Sequence, residues 1–149
     1  DRVGGIVKVA QHHARPTEIG QLLHTASRNL ADSRVENISD ETRFDTAYKA
    51  IMQCALIGLL ANGYRPATST PGHHQTMIQC LPLTLDVSND GWLVLDALRR
   101  KRNASDYLGD LIEPESMFEC IRQAESLLAR TRKWLAEHRP DLMDGGNRP

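Results

Sequence analysis

The residues best suited to chemistry lie in one basic segment, "RRKRNASDY", which runs from Arg99 to Tyr107. Four consecutive cations are followed by an amide, two small residues, an acid and a phenol. Guanidinium groups bind phosphate through paired hydrogen bonds, and a phenol can donate a proton to the same group. The preceding run "GWLVLDAL" predicts a buried helix, so these groups belong to the end of that helix.

This basic helix end has two interpretations. Cations near a helix C-terminus stabilise the helix dipole by about 0.3–1 kcal/mol each, and Arg102 stands four residues before Asp106, within reach of an ion pair. Both points favour a solvated cap. The position of Arg102 on the helix favours an anion-binding site instead, because Arg102 comes seven residues after Leu95 and projects within about 20° of it. Leu95 and Leu98 form the inward stripe, so Arg102 points inward and requires an anion, a carboxylate or a partner subunit.

Apolar periodicity predicts the elements that position this segment. The pattern is typical of an all-α, up-down bundle of four to five helices, since no segment alternates with period two for long. The second helix should open at Ser39 or Asp40, carry two apolar faces and end at Gly63, which makes it the central helix. The fifth helix should run from Pro114 to about His138.

Composition limits the domain organisation and the class of protein. The 149 residues suit one domain, with a flexible arm over residues 1–15, the bundle over 16–138 and a disordered tail over 139–149. A net charge of −1 gives no global attraction to nucleic acid or to a membrane, so an anion site must be local. Three distant cysteines in apolar contexts favour reduced thiols and a cytoplasmic location. The longest strongly apolar stretch has 12 residues, too few for a membrane span.

Three stretches together resemble one family of small helical proteins. They are "ETRFDTAYKAIMQCALIGLLANGYRP", "PGHHQTMIQCLPLTL" and "RNASDY", the last on the penultimate long helix. Their order and spacing over residues 17–137 resemble the HEPN (higher eukaryotes and prokaryotes nucleotide-binding) domain. The resemblance implies a homodimer whose helices pair across a cleft. Many members are metal-independent ribonucleases of toxin–antitoxin, abortive-infection and CRISPR-linked systems.

The family motif implies roles for three residues. It consists of an Arg, usually a polar residue next, and a His after four to six intervening residues. Arg102 and Asn103 match its first half, while Tyr107 stands where the His is expected, and no His follows until His138. The resemblance implies that Arg102 stabilises phosphorane charge, Asn103 orients it and Tyr107 replaces the imidazole. Because tyrosine has an ordinary pKa near 10, we expect phosphate binding with slow or absent cleavage.

Some relatives pair with a minimal nucleotidyltransferase, which offers a second interpretation of the same tyrosine. In those relatives a Tyr two residues after the His receives adenylate. Counted from Arg100, Ser105 stands at the His position and Tyr107 at the acceptor position. The resemblance therefore also implies a possible nucleotidyltransferase partner.

The remaining candidates flank this motif or lie on the third helix. We expect Arg99, Arg100 and Lys101 to steer a phosphate backbone of RNA or a nucleotide. His73 and His74 open the third helix and are candidates for anion binding and for the missing imidazole. Adjacent histidines point about 100° apart and seldom chelate one ion, so no metal or cofactor is expected. The alternatives are a non-catalytic, antitoxin-like interaction module and a bundle of unrelated function.

Overall fold

A computed structural model describes residues 9–11, 13–66, 73–109 and 111–143 of the chain. Within these ranges the chain forms seven helices and two three-residue strands, which confirms the all-α bundle. In chain order they are β1 (Val9–Gln11), α1 (Pro16–Ser33), α2 (Asp40–Ala61), β2 (Tyr64–Pro66), α3 (His73–Gln79), α4 (Leu81–Thr84), α5 (Asn89–Leu108), α6 (Pro114–His138) and α7 (Pro140–Met143).

Helix α2 is the centre of the molecule, as its two apolar faces predict. Ser39 caps its start, because the Ser39 hydroxyl accepts a hydrogen bond from the Thr42 backbone N–H at 3.1 Å. Gly63 follows its end with φ of 92°, a left-handed conformation that glycine adopts without strain. Helices α1 and α6 cover α2 on its apolar faces and make the most extensive contacts in the bundle.

Helices α1 and α6 each bury one stripe and expose the rest. Both begin with proline, whose φ suits the first helical turn and whose missing N–H has no partner there anyway. The predicted limits of the fifth helix, Pro114 and His138, are those observed for α6. None of the described helices combines the length and the apolarity that a bilayer span requires.

Helix α5 presents the basic segment at the edge of the bundle. It begins after Ser88, whose hydroxyl accepts from the Gly91 N–H at 3.0 Å, and it ends before Gly109, whose φ is 71°. Only Leu95 and Leu98 are fully buried on it. It packs on α3 and α2, so its last two turns lie beside α2 rather than inside the core.

The structure differs from the sequence-based expectation at both ends of the domain. Val9–Gln11 lie in the expected flexible arm, yet they pair antiparallel with Tyr64–Pro66; three residues are too few to show a period of two. The expected disordered tail begins with α7, because Leu142 is apolar and buries all but 1% of its surface. Residues 1–8, 12 and 144–149 of the expected arm and tail lie outside the described residues.

Candidate functional site

A groove of about 780 Å³ opens between α1, α2, β2, α3 and α5. It follows α2 from Tyr48 to Leu60, about three helical turns, which corresponds to about 18 Å at 1.5 Å per residue. Its described lining is Glu18, Gln21, Leu22, Thr25, Tyr48, Lys49, Met52, Gln53, Leu56, Leu60, Arg65, Pro66, His73, His74, Met77 and Arg102.

Arg102 reaches this groove from α5. It forms the ion pair expected of a solvated helix end, and it also points toward the neighbouring helices, as expected of a binding site. Its Nε lies 3.1 Å from Asp106 Oδ2, the predicted ion pair, and 3.4 Å from Asp45 Oδ1 on α2. Its guanidinium carbon lies 5.3 Å from the centre of the Tyr48 ring. Both carboxylates contact Nε, and no described residue bonds the two terminal nitrogens. These two nitrogens are therefore available for a paired contact with a phosphate or carboxylate.

Tyr48 lies next to Arg102, and the two histidines of α3 continue the cluster from Tyr48. The Tyr48 hydroxyl is 3.4 Å from His74 Nδ1, and the His73 and His74 rings meet edge to face with centroids 4.6 Å apart. Burial raises the pKa of Tyr48 to about 12 against the opposing effect of Arg102 and Arg99. At neutral pH the phenol is therefore protonated.

His74 is neutral at neutral pH for a related reason. Burial lowers the pKa of His74 below its usual value of 6.5, and the charges of His73, Arg102 and Arg99 lower it further. A neutral imidazole has one donor nitrogen and one acceptor nitrogen, so His74 can bind a phosphate oxygen or take a proton, depending on its tautomer.

The groove combines positive charge with an apolar floor. Its described lining carries the cations Lys49, Arg65 and Arg102 and one carboxylate, Glu18, whose Oε2 lies 3.5 Å from Arg65 Nη2. The floor is formed by Leu22, Met52, Leu56, Leu60, Pro66 and Met77. This arrangement suits an anion that also has an aromatic or apolar part.

Two of the residues predicted from the motif lie elsewhere. Tyr107 is 83% exposed and does not line the groove, because five helical residues turn its side chain about 140° away from Arg102. Asn103 also lies off the groove, and its side chain makes no hydrogen bond to a described residue. The structure therefore does not bring the amide and this phenol to Arg102 in a shared cleft.

The other cations of the basic segment are paired with carboxylates. Arg99 Nε and Arg100 Nε lie 2.8 Å and 3.5 Å from Asp96, and Lys101 Nζ lies 2.9 Å from Glu113. None of the three lines the groove. Arg99 and Arg100 share the carboxylate of Asp96, so two carboxylates offset three cations. Arg102 is the member of the segment whose side chain lines the groove.

Sequence reasoning placed Tyr48 among the apolar residues of α2 and assigned it no chemistry. Its 1% exposure agrees with the core position. The signal that distinguishes it is a hydroxyl within an otherwise apolar stripe, since a buried phenol requires a partner. That partner is His74, which the sequence offered as a candidate for the missing imidazole.

No protein-family model matches this chain, and neither a curated protein nor a solved structure matches it. The described residues contain no group of three or more His, Cys, Asp or Glu side chains placed to hold a metal ion. The groove and the residues that line it are therefore the features of this chain that point to a function.

Proposed function

We propose that the groove binds the phosphate of RNA or of a nucleotide, in a HEPN-like homodimer. One observation carries this proposal: Arg102, with both terminal nitrogens unbonded by described residues, lines the same open groove as His74, together with Lys49 and Arg65. Charge-assisted bonds to phosphate are shorter and stronger than neutral ones, and the planar guanidinium matches two phosphate oxygens at once.

The proposal retains the family resemblance but changes its third residue. In the family that the sequence resembles, an Arg and a His act together on phosphate. Here Tyr107 lies away from Arg102, whereas α3 contributes His73 and His74 to the groove that Arg102 lines. We propose that an imidazole of α3 takes the place that the motif leaves empty, and that the protein serves a toxin–antitoxin or defence system.

The apolar floor of the groove indicates a ligand that is larger than free phosphate. Met52 and Leu56 of α2 offer a surface for a base or a sugar next to the cationic end of the groove. Cleavage requires more, namely proton transfer at the 2′-hydroxyl and at the leaving oxygen. The proposal therefore predicts binding together with slow or absent cleavage by the purified protein.

The test is binding of a fluorescein-labelled, single-stranded 12-mer RNA, followed by fluorescence anisotropy at low salt. Charged hydrogen bonds contribute about 1.5–3 kcal/mol, so Arg102→Ala should weaken binding by about 10-fold or more. Arg122→Ala is the matched control, because Arg122 is also paired with a carboxylate but lies away from the groove. Unchanged affinity in Arg102→Ala would contradict the proposal.

The alternative is a non-catalytic interaction module, and two observations favour it. Each cation of the basic segment lies within ion-pair distance of a carboxylate. The corner at the end of α5 exposes three large side chains, Tyr107, Leu108 and Leu111, each by 76% or more. If the protein bound no RNA and no nucleotide at low salt, the interaction module would replace phosphate binding as the proposed function.

A nucleotidyltransferase partner remains a separate part of the proposal. Tyr107 is 83% exposed in the single chain, so a modifying enzyme would reach it before a second copy covers this corner. Co-expression with a minimal nucleotidyltransferase, followed by intact-mass analysis, should show added adenylate that is lost in Tyr107→Phe. Adenylate retained in that variant would exclude Tyr107 as the acceptor.

A further inference from the structure

We propose that Tyr48 is a positioning residue, whose hydroxyl holds His74 in the tautomer with the proton on Nε2. The groove then offers a bound phosphate a hydrogen-bond donor rather than a base. This inference rests on the proposed phosphate site, and it states which role His74 has there.

The hydrogen-bond partners of Tyr48 and His74 determine the tautomer. Tyr48 is 1% exposed, and His74 Nδ1, at 3.4 Å, is the one described atom that bonds its hydroxyl. This distance is long, as is common for site contacts that tighten when a ligand binds. A phenol hydroxyl can donate or accept, but His74 Nδ1 is the one described acceptor within reach of this buried O–H, and a buried donor without a partner is costly. The phenol therefore donates, Nδ1 accepts and the imidazole proton lies on Nε2.

The charged groups around His74 oppose a second proton on its ring. His73 lies beside it on α3, Tyr48 faces it from α2, and Arg102 and Arg99 act on it from α5. Further along the groove are Lys49 of α2, Arg65 of β2 and Glu18 of α1. Asp45 and Asp106 contact Arg102, and Asp96 contacts Arg99. The charges that act on His74 itself are those of His73, Arg102 and Arg99, so His74 stays neutral with one N–H.

Nε2 is the ring nitrogen that remains for a ligand, since no described residue bonds it. A phosphate held by the terminal nitrogens of Arg102 would accept a further hydrogen bond from His74 Nε2–H. The same nitrogen cannot take the proton of a 2′-hydroxyl, because it already carries one. Tyr48 therefore favours binding over cleavage at His74.

The first test reads the tautomer directly by long-range ¹H–¹⁵N correlation spectra of the ¹⁵N-labelled full chain. Wild type should show His74 Nδ1 as an unprotonated nitrogen and Nε2 as a protonated one. Tyr48→Phe should move His74 toward a mixture of both tautomers, while the exposed His24 serves as an internal control in the same spectra. A protonated Nδ1 in neutral wild-type His74, or an unchanged tautomer in a folded Tyr48→Phe, would overturn the inference.

The second test separates a donor at Nε2 from a general loss of the imidazole, with adenosine 3′-monophosphate as the probe. The side-chain nitrogen of glutamine occupies the position of Nε2, whereas that of asparagine occupies the position of Nδ1. His74→Gln should retain most of the affinity, and His74→Asn should lose about 2- to 10-fold, the range of one net hydrogen bond. Equal losses in both variants would contradict the donor role.

The two tests distinguish the inference from the proposed function. If wild type binds no adenosine 3′-monophosphate and no RNA, the proposed phosphate site fails. The tautomer of His74 in the free protein still decides the role of Tyr48, because that measurement requires no ligand.

Discussion

Arg102 uses a single nitrogen for its contacts with Asp45 and Asp106, and this leaves the rest of its guanidinium for a ligand. The side chain is 29% exposed and the carboxylates are more exposed still, so these ion pairs contribute about 0–1 kcal/mol to stability. Removal of Arg102 should therefore affect binding far more than folding.

His74 should make the stability of the protein depend on pH. Its pKa is lowered in the folded state from a usual value of 6.5, so the unfolded chain takes up the proton first as the pH falls. The contribution of neutral His74 is thus complete above about pH 6.5 and is lost progressively below it, toward its lowered pKa in the folded state. One proton changes the free energy of unfolding by at most about 1.4 kcal/mol per pH unit, and the partial exposure of His74 reduces this.

Urea unfolding at about pH 7.5 and about pH 5.5 measures this effect on either side of the usual histidine pKa. Wild type should lose more stability between the two values than His74→Gln, which has no imidazole at this position. The exposed His24→Gln is the control. Equal losses in wild type and in His74→Gln would show that His74 is not held neutral by its surroundings.

Tyr107 should not contribute to ligand binding. It is 83% exposed and lies outside the groove, so Tyr107→Phe should leave the RNA affinity within about twofold of wild type, less than one net hydrogen bond. The anisotropy assay measures this. A large loss in Tyr107→Phe would restore the role that the motif alone assigns to this residue.

At the scale of elements, the position of the groove depends on how closely α2 approaches its neighbours. Gly58 of α2 faces Leu85 and Thr84, which follow the bend in the α3–α4 segment. A Cβ at Gly58 would lie 2.9 Å from Leu85 Cγ and from Thr84 Oγ1. The glycine therefore allows α2 to approach Leu85 and Thr84 closely, whereas the side chain of any other residue would push these elements apart.

Gly58→Ala should destabilise the protein even though alanine is the better helix former. Overpacking of a core costs about 1–3 kcal/mol, and the gain in helix propensity of about 1 kcal/mol offsets only part of this. Denaturant unfolding gives the difference. Leu85 is completely buried, so a shift of its side chain would disturb the packing of the core.

The matched control is Gly91→Ala in the first turn of α5. Its Cβ would also come within 2.9 Å of a neighbour, but that neighbour is a partly exposed methyl group of Val87, which can move. We expect Gly91→Ala to be close to neutral. A similar loss of unfolding free energy in both variants would show that the close approach of α2 to Leu85 does not require a glycine at position 58.

At the scale of the whole molecule, the groove and the apolar corner after α5 lie on surfaces that the monomer leaves open. Both faces of α2 are covered within the chain by α1 and α6, so the central helix itself requires no partner. The corner differs, because Leu108 and Leu111 are 76% and 82% exposed. In the homodimer that we propose, this corner is the surface on which the second copy packs; in the alternative interaction module, the same corner would receive a partner protein.

Light scattering should give twice the chain mass of 16.7 kDa at tens of micromolar. Leu108→Glu should shift the protein toward the monomer, because a charge in an apolar interface has to be desolvated. Leu93→Glu is the control, since Leu93 is 49% exposed on the same helix but distant from its end. A wild-type monomer would contradict the homodimer.

The limits of α2 and α6 could be predicted because their signals are local. Ser39 bonds a backbone N–H three residues away, and Pro114 suits the first turn of α6 through its own φ. The central position of α2 follows from its two apolar faces, which are a property of its residues alone. The ribbon of β1 and β2 could not be predicted, since each strand is too short to show a pattern.

The sequence by itself determined the all-α class, the long helices and the inward register of Arg102, because caps, prolines and a 3.6-residue period act within one element. Only the tertiary structure decided which side chains meet Arg102. His74 and Tyr48 belong to other helices, and their approach depends on how α2, α3 and α5 pack. Tyr107 shares the helix of Arg102, yet the turn between them separates the two side chains. Nearness in sequence suggested one partner for Arg102, and helix geometry and packing provided others.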